Sequence, residues 1–317
     1  MLSLEPSPLG DLQPTAERAR AYALKGKAAS TQRAYRTDWA HFTAWCAEHD
    51  RQPLPATPAT IILYVCDLAE HVKVATIDRR LTSIGQAHKM AKLPLPTKDV
   101  DVELTMRGIR REKGVAPDVK APAVTDIIRQ MVEALPETVQ GTRDSALLLI
   151  GFAGAFRRSE LVSLDVADVQ FTNDGVIARL RRSKTDQEGQ GMTKGIPYGS
   201  IPHTCPVRAL RRWLEMSSLT EGPLFRPIDR HGNIRPRRLT DHSVARIVKR
   251  AAGAAGLDPK QFSGHSLRAG LATAAAQAGV SERVIMQQTG HKNLAVLRRY
   301  IREGSLFREN AAAKVGL

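Results

Sequence analysis

The segment 264–301 constrains the fold more than any other, because it gathers four chemically distinctive side chains around one apolar helical run. His265 and Arg268 stand three residues apart at the start of that run, so on a helix they share a face and can converge on one anionic group. His291 follows in a Thr-Gly-His sequence, and Tyr300 lies nine residues beyond it. The spacing therefore predicts a cationic site with a tyrosine at its edge.

Tyr300 is the candidate nucleophile of this site. A tyrosine hydroxyl is a weak nucleophile while it is neutral, because its ordinary pKa is about 10, and neighbouring cations are needed to favour the phenolate in a transition state. The two histidines and the arginine of the segment can supply that charge. Tyr198 is the alternative nucleophile if Tyr300 is not used.

Two upstream motifs complete a pattern that resembles the tyrosine recombinases, also called the phage integrase family, and within it the Cre-like members. The run 154–161 reads Gly-Ala-Phe-Arg-Arg-Ser-Glu-Leu and contains the Arg-x-x-Glu-Leu that the family places at the start of a helix. The run 182–185 reads Arg-Ser-Lys-Thr and contains the lysine that the family places on a β-hairpin. The order and spacing of these motifs, over about half the chain, make the resemblance specific.

The resemblance implies a transesterification that requires no metal and no cofactor. In this reaction Tyr300 attacks a DNA phosphate in line, forms a 3′-phosphotyrosyl link and releases a 5′-hydroxyl. Lys184 protonates that leaving oxygen, and His265 assists proton transfer at the nucleophile. The covalent link retains the energy of the phosphodiester. The catalytic residues that the resemblance implies are Arg157, Glu160, Lys184, His265, Arg268, His291 and Tyr300.

Two of these assignments have rivals nearby in the sequence. Arg157 is preferred to Arg158 because Glu160 then completes the Arg-x-x-Glu spacing, so Arg158 is expected to contact a phosphate or to lie on the surface. Glu160 is expected to orient an arginine rather than to act as a base. Lys184 lies where the first hairpin strand runs into its turn, and Lys194, beyond the turn, is the second choice for the general acid.

The composition suits a protein that binds a polyanion such as double-stranded DNA. Lysine and arginine total 47 against 32 aspartates and glutamates, which gives a formal charge of +15 and a pI near 10.1. Three scattered cysteines are too few for a disulfide framework or a zinc site, and no apolar run is long enough to span a membrane. A signal-peptide pattern is also missing, so we expect a cytoplasmic or nucleoid-associated protein, and the resemblance implies a bacterial or phage source.

Shifts in composition divide the chain into two domains of a mainly α protein. Residues that alternate at 176–180 and a return strand at 195–198 predict one small antiparallel sheet within the second domain. The expected segments are a flexible leader at 1–14, an all-helical core-binding domain at 15–112, a linker at 113–122 and a mostly helical catalytic domain at 123–317.

The first domain is expected to bury a stripe of aromatic residues and to present a basic face. After a helix start with a hydroxyl cap at Ser30, the residues Trp39, Phe42 and Trp45 recur at helical spacing, and we interpret them as core rather than as base-stacking residues. The resemblance implies that the two domains close around DNA as a C-shaped clamp. The candidate DNA-contacting residues are Arg79, Arg80, Lys89, Arg158 and Arg237.

The end of the chain is expected to form a docking element. Apolar side chains within 305–317 fall on one side of a short helix, and a helix of that length is unstable alone. The resemblance implies that this exchange helix reaches a neighbouring protomer and closes a tetramer on two duplexes with inverted half-sites. Docking on its own domain is the alternative.

These observations predict a site-specific DNA recombinase, with two alternatives of other kinds. A type IB topoisomerase would use the same chemistry without strand exchange, and a catalytically silent relative would only bind DNA. The intact set of catalytic side chains disfavours the silent relative.

Overall fold

Both halves of the chain are built mainly from helices. The structure is a computed structural model, and it describes residues 28–116, 120–181, 191–291 and 293–305 together with a few isolated positions. The chain divides into two compact units, Met1–Asp118 and Val119–Leu317. In the described ranges both units are helical and the second contains a small antiparallel sheet, so the predicted fold class is confirmed. Almost all of the predicted leader and exchange helix lies outside the described residues.

The described part of the first unit contains the helices α1 Ala29–Glu48, α2 Pro58–His71, α3 Val74–Met90 and α4 Val100–Lys113. Pro58 occupies the first position of α2, where its missing N–H is not needed, and the Thr57 hydroxyl accepts a backbone N–H of the first turn. Asp99 caps α4 in the same way. Helix α1 starts after Ala28 without a side-chain cap, so the hydroxyl cap expected at Ser30 is wrong.

Aromatic rings form the centre of the first unit. Phe42 and Trp45 of α1 pack against Tyr64 of α2, with ring centroids 4.9 and 5.2 Å from the tyrosine ring. All three side chains are buried. Burial of a ring of this size contributes roughly 1.5–3 kcal/mol to folding. Phe42 and Trp45 therefore belong to the core, as predicted, and Trp39 is partly buried against it.

A buried histidine fastens the loop between α1 and α2 to helix α3. His88 Nδ1 lies 3.0 Å from the Ile84 carbonyl, and its Nε2 accepts the backbone N–H of Ala56 at 2.9 Å. A carbonyl can only accept, so Nδ1 donates and the neutral imidazole satisfies both contacts.

The described part of the second unit contains eight α-helices and three strands. None of the described helices of the chain combines the length and the apolar character that crossing a bilayer requires. The helices are α5 Thr125–Glu133, α6 Val139–Ala153, α7 Arg158–Ser163, α8 Pro206–Ser217, α9 Asp241–Ala254, α10 His265–Gln277, α11 Glu282–Thr289 and α12 Leu294–Ser305. The strands are β1 Val169–Phe171, β2 Gly175–Leu180 and β3 Met192–Pro197.

The sheet has the order β1-β2-β3 with antiparallel neighbours. On β2 the side chains of Val176, Ala178 and Leu180 are buried, and Ala178 pairs with Lys194 of β3. The sequence predicts the β2–β3 hairpin but not β1, because three residues are too few to show alternation. The pairing directs Lys194, like Ala178, toward the buried face of the sheet.

Helix α6 forms the centre of the second unit. Most of its residues are buried, and it packs against α8 and α10. The Thr138 hydroxyl accepts the Gly141 backbone N–H at 3.1 Å and caps its first turn. A helix buried on nearly all sides gives the residues at its C-terminal end a rigid support.

Small side chains let α10 and α12 approach each other closely. Ala269, Ala272 and Ala276 of α10 are buried in one cluster with Leu297 and Tyr300 of α12. This packing places Tyr300 beside the helix that begins at His265.

A buried carboxylate joins α6 to α9. Asp144 is 1% exposed and accepts hydrogen bonds from Arg143 Nε at 2.6 Å and from Arg250 of α9. Arg143 also donates to the Arg226 carbonyl at 2.8 Å. Burial lowers the pKa of the Arg143 guanidinium, and the Asp144 carboxylate opposes that shift.

We predict that Asp144→Ala destabilises the protein by about 3–5 kcal/mol, because it leaves the buried Arg143 cation without its counter-charge. Asp126→Ala is the matched control, since Asp126 forms an exposed pair with Arg129 whose loss costs less than about 1 kcal/mol. Urea unfolding of both variants and the wild type measures the difference. Equal losses would show that the buried pair stabilises no more than a surface pair.

Candidate active site

Three successive carbonyl groups at the end of α6 organise the site. The carbonyls of residues 153–155 accept, in that order, from Gln288 Nε2 at 2.8 Å, Lys194 Nζ at 2.6 Å and Arg268 Nη1 at 2.9 Å. The last carbonyls of a helix lack intrahelical donors and lie at the negative end of its dipole, which favours cationic partners. Side chains from α11, β3 and α10 are thereby fixed around one turn.

The turn after α6 has a backbone conformation that needs this support. Ala155 is buried and has a φ of 47°, in the left-handed region that residues with a Cβ rarely adopt. Such a residue costs of order 1–3 kcal/mol and persists where its surroundings hold it. The turn delivers Arg157 to the start of α7.

Glu160 fixes Arg157 through both of its carboxylate oxygens. Oε2 accepts the Arg157 backbone N–H at 2.9 Å, and Oε1 accepts from Arg157 Nη1 at 2.5 Å. The Glu160 side chain is 3% exposed, whereas that of Arg157 is 20% exposed. The contact therefore orients the guanidinium and leaves part of it accessible to a ligand. This geometry fits the orienting role expected of Glu160.

Arg268 carries a buried donor that the described residues leave unsatisfied. Its side chain is 2% exposed, and while Nη1 binds the Ala155 carbonyl, Nη2 has no hydrogen-bond partner among the described residues. Burial, followed by the charge of Arg157, lowers the pKa of Arg268 to about 10 against the opposing effects of Glu160 and Tyr300. Buried donors are normally paired, so this one points to a missing anionic ligand.

Lys194 is held between two backbone segments. Its Nζ donates to the Gly154 carbonyl and, at 2.7 Å, to the Gln288 carbonyl. Burial lowers the pKa of Lys194 to about 7, Glu160 opposes this shift, and the two arginines of the site add to it. A neutral amine keeps two N–H groups, one for each carbonyl. The lysine therefore ties the end of α6 to the end of α11.

The hydroxyl of Tyr300 contacts a histidine directly. His265 Nε2 lies 2.7 Å from the Tyr300 oxygen. Both the His265 ring and the His291 ring have their centroids 6.1 Å from that of Tyr300, whose side chain is 7% exposed. Two imidazoles thus flank the phenol, and the nearer one can exchange a proton with it.

His291 is neutral at pH 7 in this structure. Its burial, together with the charges of Arg268 and Arg157, lowers the pKa of its imidazole to about 4, and His265 and Lys194 act in the same direction. A site that contains this many cations disfavours one more. An anion in the site would reverse that preference.

The structure brings together all of the expected catalytic residues except Lys184, which lies outside the described residues. Two of the rivals, Arg158 and Tyr198, lie in other settings, whereas Lys194 lies within the site. Arg158 is 39% exposed and 4.0 Å from Asp241, and the Tyr198 hydroxyl accepts from Arg211 at 3.3 Å. These positions favour Arg157 and Tyr300 for the chemistry.

The remaining candidate DNA contacts differ in their accessibility. Arg80 is 13% exposed, and its guanidinium lies 3.1 Å from the His41 imidazole. Arg79 is 46% exposed in an ion pair, and Lys89 and Arg237 are exposed. Arg80 is therefore engaged within the first unit, while the other three present their charge to solvent.

The arrangement can hold a phosphate and activate a hydroxyl. Arg157 and Arg268 supply guanidinium donors, and His265 contacts the phenol of Tyr300. Preorganised donors of this kind stabilise the charge that develops in a transition state. Among the described residues, no group of histidine, cysteine, aspartate and glutamate side chains is arranged to hold a metal ion.

Known proteins are similar in sequence to most of this chain. The model of the Phage integrase family matches residues 125–305. The chain is 44% identical over 298 residues to the integrase/recombinase xerD homolog of Selenomonas ruminantium, which covers 93% of this chain and 87% of that protein. It is 28% identical over 282 residues to the recombinase cre of Escherichia phage P1, covering 82% and 80% of the two chains.

Solved structures share the fold at lower identity. The XerH site-specific recombinase bound to palindromic difH substrate has a TM-score of 0.60 at 16% identity, covering 81% of this chain and 72% of that one. The lambda integrase(75-356) dimer bound to a COC′ core site has a TM-score of 0.58 at 16% identity, covering 90% and 93%.

The chain belongs to the phage integrase family, because the family model spans more than half of it and a relative 44% identical covers 93% of it. It is a tyrosine site-specific recombinase, the enzyme class of these homologues. The resemblance inferred from the motifs is thereby confirmed. The comparisons favour neither a topoisomerase nor a silent relative.

Two residues that position the site are missing from the sequence prediction. Gln288 donates to the Ala153 carbonyl and also to the Gly195 carbonyl at 3.2 Å. Thr289 contacts His291 Nδ1 at 2.8 Å. The available signal was their position at the end of a helix, directly before the Gly-His pair. Polar side chains at that position lie close to His291 and can contact the site.

We predict that Lys194 makes stability depend on pH. Its pKa is about 7 in the fold and 10.5 ordinarily, so between these values the unfolded chain binds more protons and stability rises with pH. Lys194→Met removes this dependence, whereas Lys249→Met, at an exposed lysine of α9, keeps it. Urea unfolding at pH 6.5 and pH 9 measures the effect. A wild-type advantage over Lys194→Met that shrinks at pH 9 would contradict the prediction.

Proposed function

We propose that this protein cleaves and rejoins DNA at specific sites through a covalent link between Tyr300 and a DNA 3′-phosphate. Arg157, Arg268 and His291 surround the scissile phosphate, and His265 assists proton transfer from the Tyr300 hydroxyl. The reaction uses no metal and no cofactor. The phosphotyrosine link retains the energy of the broken phosphodiester bond, and this energy is used to rejoin the strand.

The Nη2 of Arg268, which has no hydrogen-bond partner among the described residues, is the observation that carries the proposal. It is buried, so its desolvation costs about 1–3 kcal/mol while it lacks an acceptor. A phosphate oxygen is the acceptor that also suits the neighbouring Arg157 and the lowered pKa values of His291 and Lys194. A negative charge that enters the site stabilises Arg157, Arg268 and the protonated forms of His291 and Lys194.

Lys184 remains the proposed general acid. The family resemblance supports it, and the two carbonyl contacts of Lys194 support an anchoring role for that rival. A lysine that leaves its two carbonyls would release the turn that carries Arg157. The chemistry therefore favours a second lysine that is free to reach the leaving oxygen.

The proposed partner is double-stranded DNA with inverted half-sites. The net charge of +15 supports a polyanionic partner. Two of the similar solved structures are complexes with a palindromic difH substrate and with a COC′ core site. We propose the same kind of substrate for this chain, in the cytoplasm, with a tetramer as the assembly that exchanges strands. The core-binding domain at 15–112, the linker at 113–122 and the catalytic domain at 123–317 are the proposed working parts.

We predict that Tyr300→Phe abolishes the covalent protein–DNA adduct and leaves DNA binding intact, because it removes the attacking oxygen and keeps the ring. The probe is the DNA recovered with the purified protein, sequenced to locate its half-sites. Denaturing electrophoresis of the reaction detects the adduct, and a mobility shift measures binding.

Tyr198→Phe is the matched control for this experiment. It removes a phenol that is 36% exposed and contacts Arg211 rather than the site, so the adduct should persist. An adduct that survives in Tyr300→Phe and disappears in Tyr198→Phe would move the nucleophile to Tyr198.

We predict that removing residues 305–317 preserves binding of a monomer to one half-site, reduces cooperative binding to a full site and abolishes recombination. The reason is that the exchange helix joins neighbouring protomers, whereas each protomer supplies its own DNA contacts and catalytic residues. Mobility shifts on half and full sites measure the first two effects, and a two-site plasmid measures the third. A chain that lacks only residues 316–317 is the control. Normal assembly by the longer truncation would rule out the exchange helix.

A further inference from the structure

Thr289 ends helix α11 with a hydroxyl whose single proton is already engaged. Its Oγ1 lies 2.7 Å from the Ile285 carbonyl, the residue one turn earlier, and its side chain is buried. Serine and threonine hydroxyls commonly donate to a carbonyl in this way within helices. A carbonyl can only accept, so the hydroxyl proton of Thr289 points to Ile285. What remains on Oγ1 are lone pairs.

Those lone pairs face the imidazole of His291. The distance from Oγ1 to His291 Nδ1 is 2.8 Å. Gly290 between them has a φ of 65°, the left-handed conformation that glycine adopts freely, and it turns the chain so that His291 folds back over Thr289. An acceptor at this distance requires a donor, so Nδ1 carries a proton.

We infer that Thr289 is a positioning residue that holds the neutral His291 ring as the Nδ1–H tautomer, so that Nε2 has no proton to donate until His291 takes up a second one. The tautomer follows from the contacts of Thr289, whereas its consequence for phosphate binding rests on the proposed function. In the Nδ1–H tautomer, Nε2 carries a lone pair and no proton, so it repels a phosphate oxygen. His291 must therefore become an imidazolium before it can donate to the phosphate.

The charges around His291 set the direction of this proton uptake. Arg268 on α10, Arg157 before α7, His265 at the start of α10 and Lys194 on β3 all oppose the imidazolium, and burial adds to them. The phenol of Tyr300 on α12 lies against the same ring. A phosphate brings negative charge to this group of cations, so it raises the pKa of His291 above its value of about 4 in the free protein. Phosphate binding then weakens as pH rises, because the bound state holds more protons.

The tautomer can be tested by long-range ¹H–¹⁵N NMR of the whole chain labelled at histidine nitrogen, without DNA and at pH 7. His291→Asn identifies the His291 signals by their loss. We expect Nδ1 of the wild type to show the shift of a protonated nitrogen and Nε2 that of an unprotonated one. The opposite pattern would overturn the inference, whatever the variants show.

Three variants isolate the hydroxyl of Thr289. Thr289→Val keeps the shape and removes the acceptor, so the Nδ1–H tautomer should lose its dominance. Thr289→Ser keeps the hydroxyl and should retain it. Thr273→Val is the matched control, because it removes a buried hydroxyl of α10 that has no hydrogen-bond partner among the described residues. A tautomer unchanged in Thr289→Val would overturn the role of Thr289.

Inorganic phosphate separates this inference from the proposed function. We expect it to raise the midpoint of the His291 titration in the wild type, while sodium chloride at equal ionic strength does not. A raised midpoint supports the requirement for a second proton. An unchanged midpoint with the Nδ1–H tautomer intact would overturn the phosphate site and leave the role of Thr289 standing.

Discussion

The end of helix α6 is the constraint on which the rest of the site depends. A helix leaves its last carbonyls without intrahelical donors, and the burial of Gly154 and Ala155 directly after α6 limits the access of water. Donors must therefore come from elsewhere in the unit, and they come from three different elements: α11, β3 and α10. Satisfying one backbone requirement thus sets the relative positions of Gln288, Lys194 and Arg268. The same turn then presents Arg157.

An excess of positive charge is the second property of the site. Glu160 opposes the lowered pKa values of both Lys194 and Arg268, yet burial and the neighbouring arginine charge outweigh it. The folded protein maintains this unfavourable concentration of charge through the packing of α6 and α10. Cations that are fixed by these contacts do not have to reorganise when an anion binds, which is the condition under which electrostatic stabilisation of a transition state is largest.

The sequence predicted the candidate catalytic side chains and the orienting role of Glu160, but it missed Gln288 and Thr289, which contact backbone carbonyls and His291. His265, Arg268 and Tyr300 were identifiable because their spacing has a chemical meaning. Gln288 was not, because it acts through backbone carbonyls, and any donor of the right length at the end of α11 would serve. The fold class followed from helical periodicity. The absent cap at Ser30 did not, because a helix such as α1 can derive its stability from a buried aromatic face.

The alanines of α10 have a consequence for how helix α12 is held. Alanine has no rotamers to lose, so bringing a helix onto this face, or taking it away, changes the side-chain entropy of α10 very little. The specificity of the contact can then come from the larger groups of α12, among them Leu294, Leu297 and Tyr300, which recur at three-residue steps. The proposed nucleophile therefore also contributes to docking its own helix, so undocking α12 would withdraw the Tyr300 oxygen from His265.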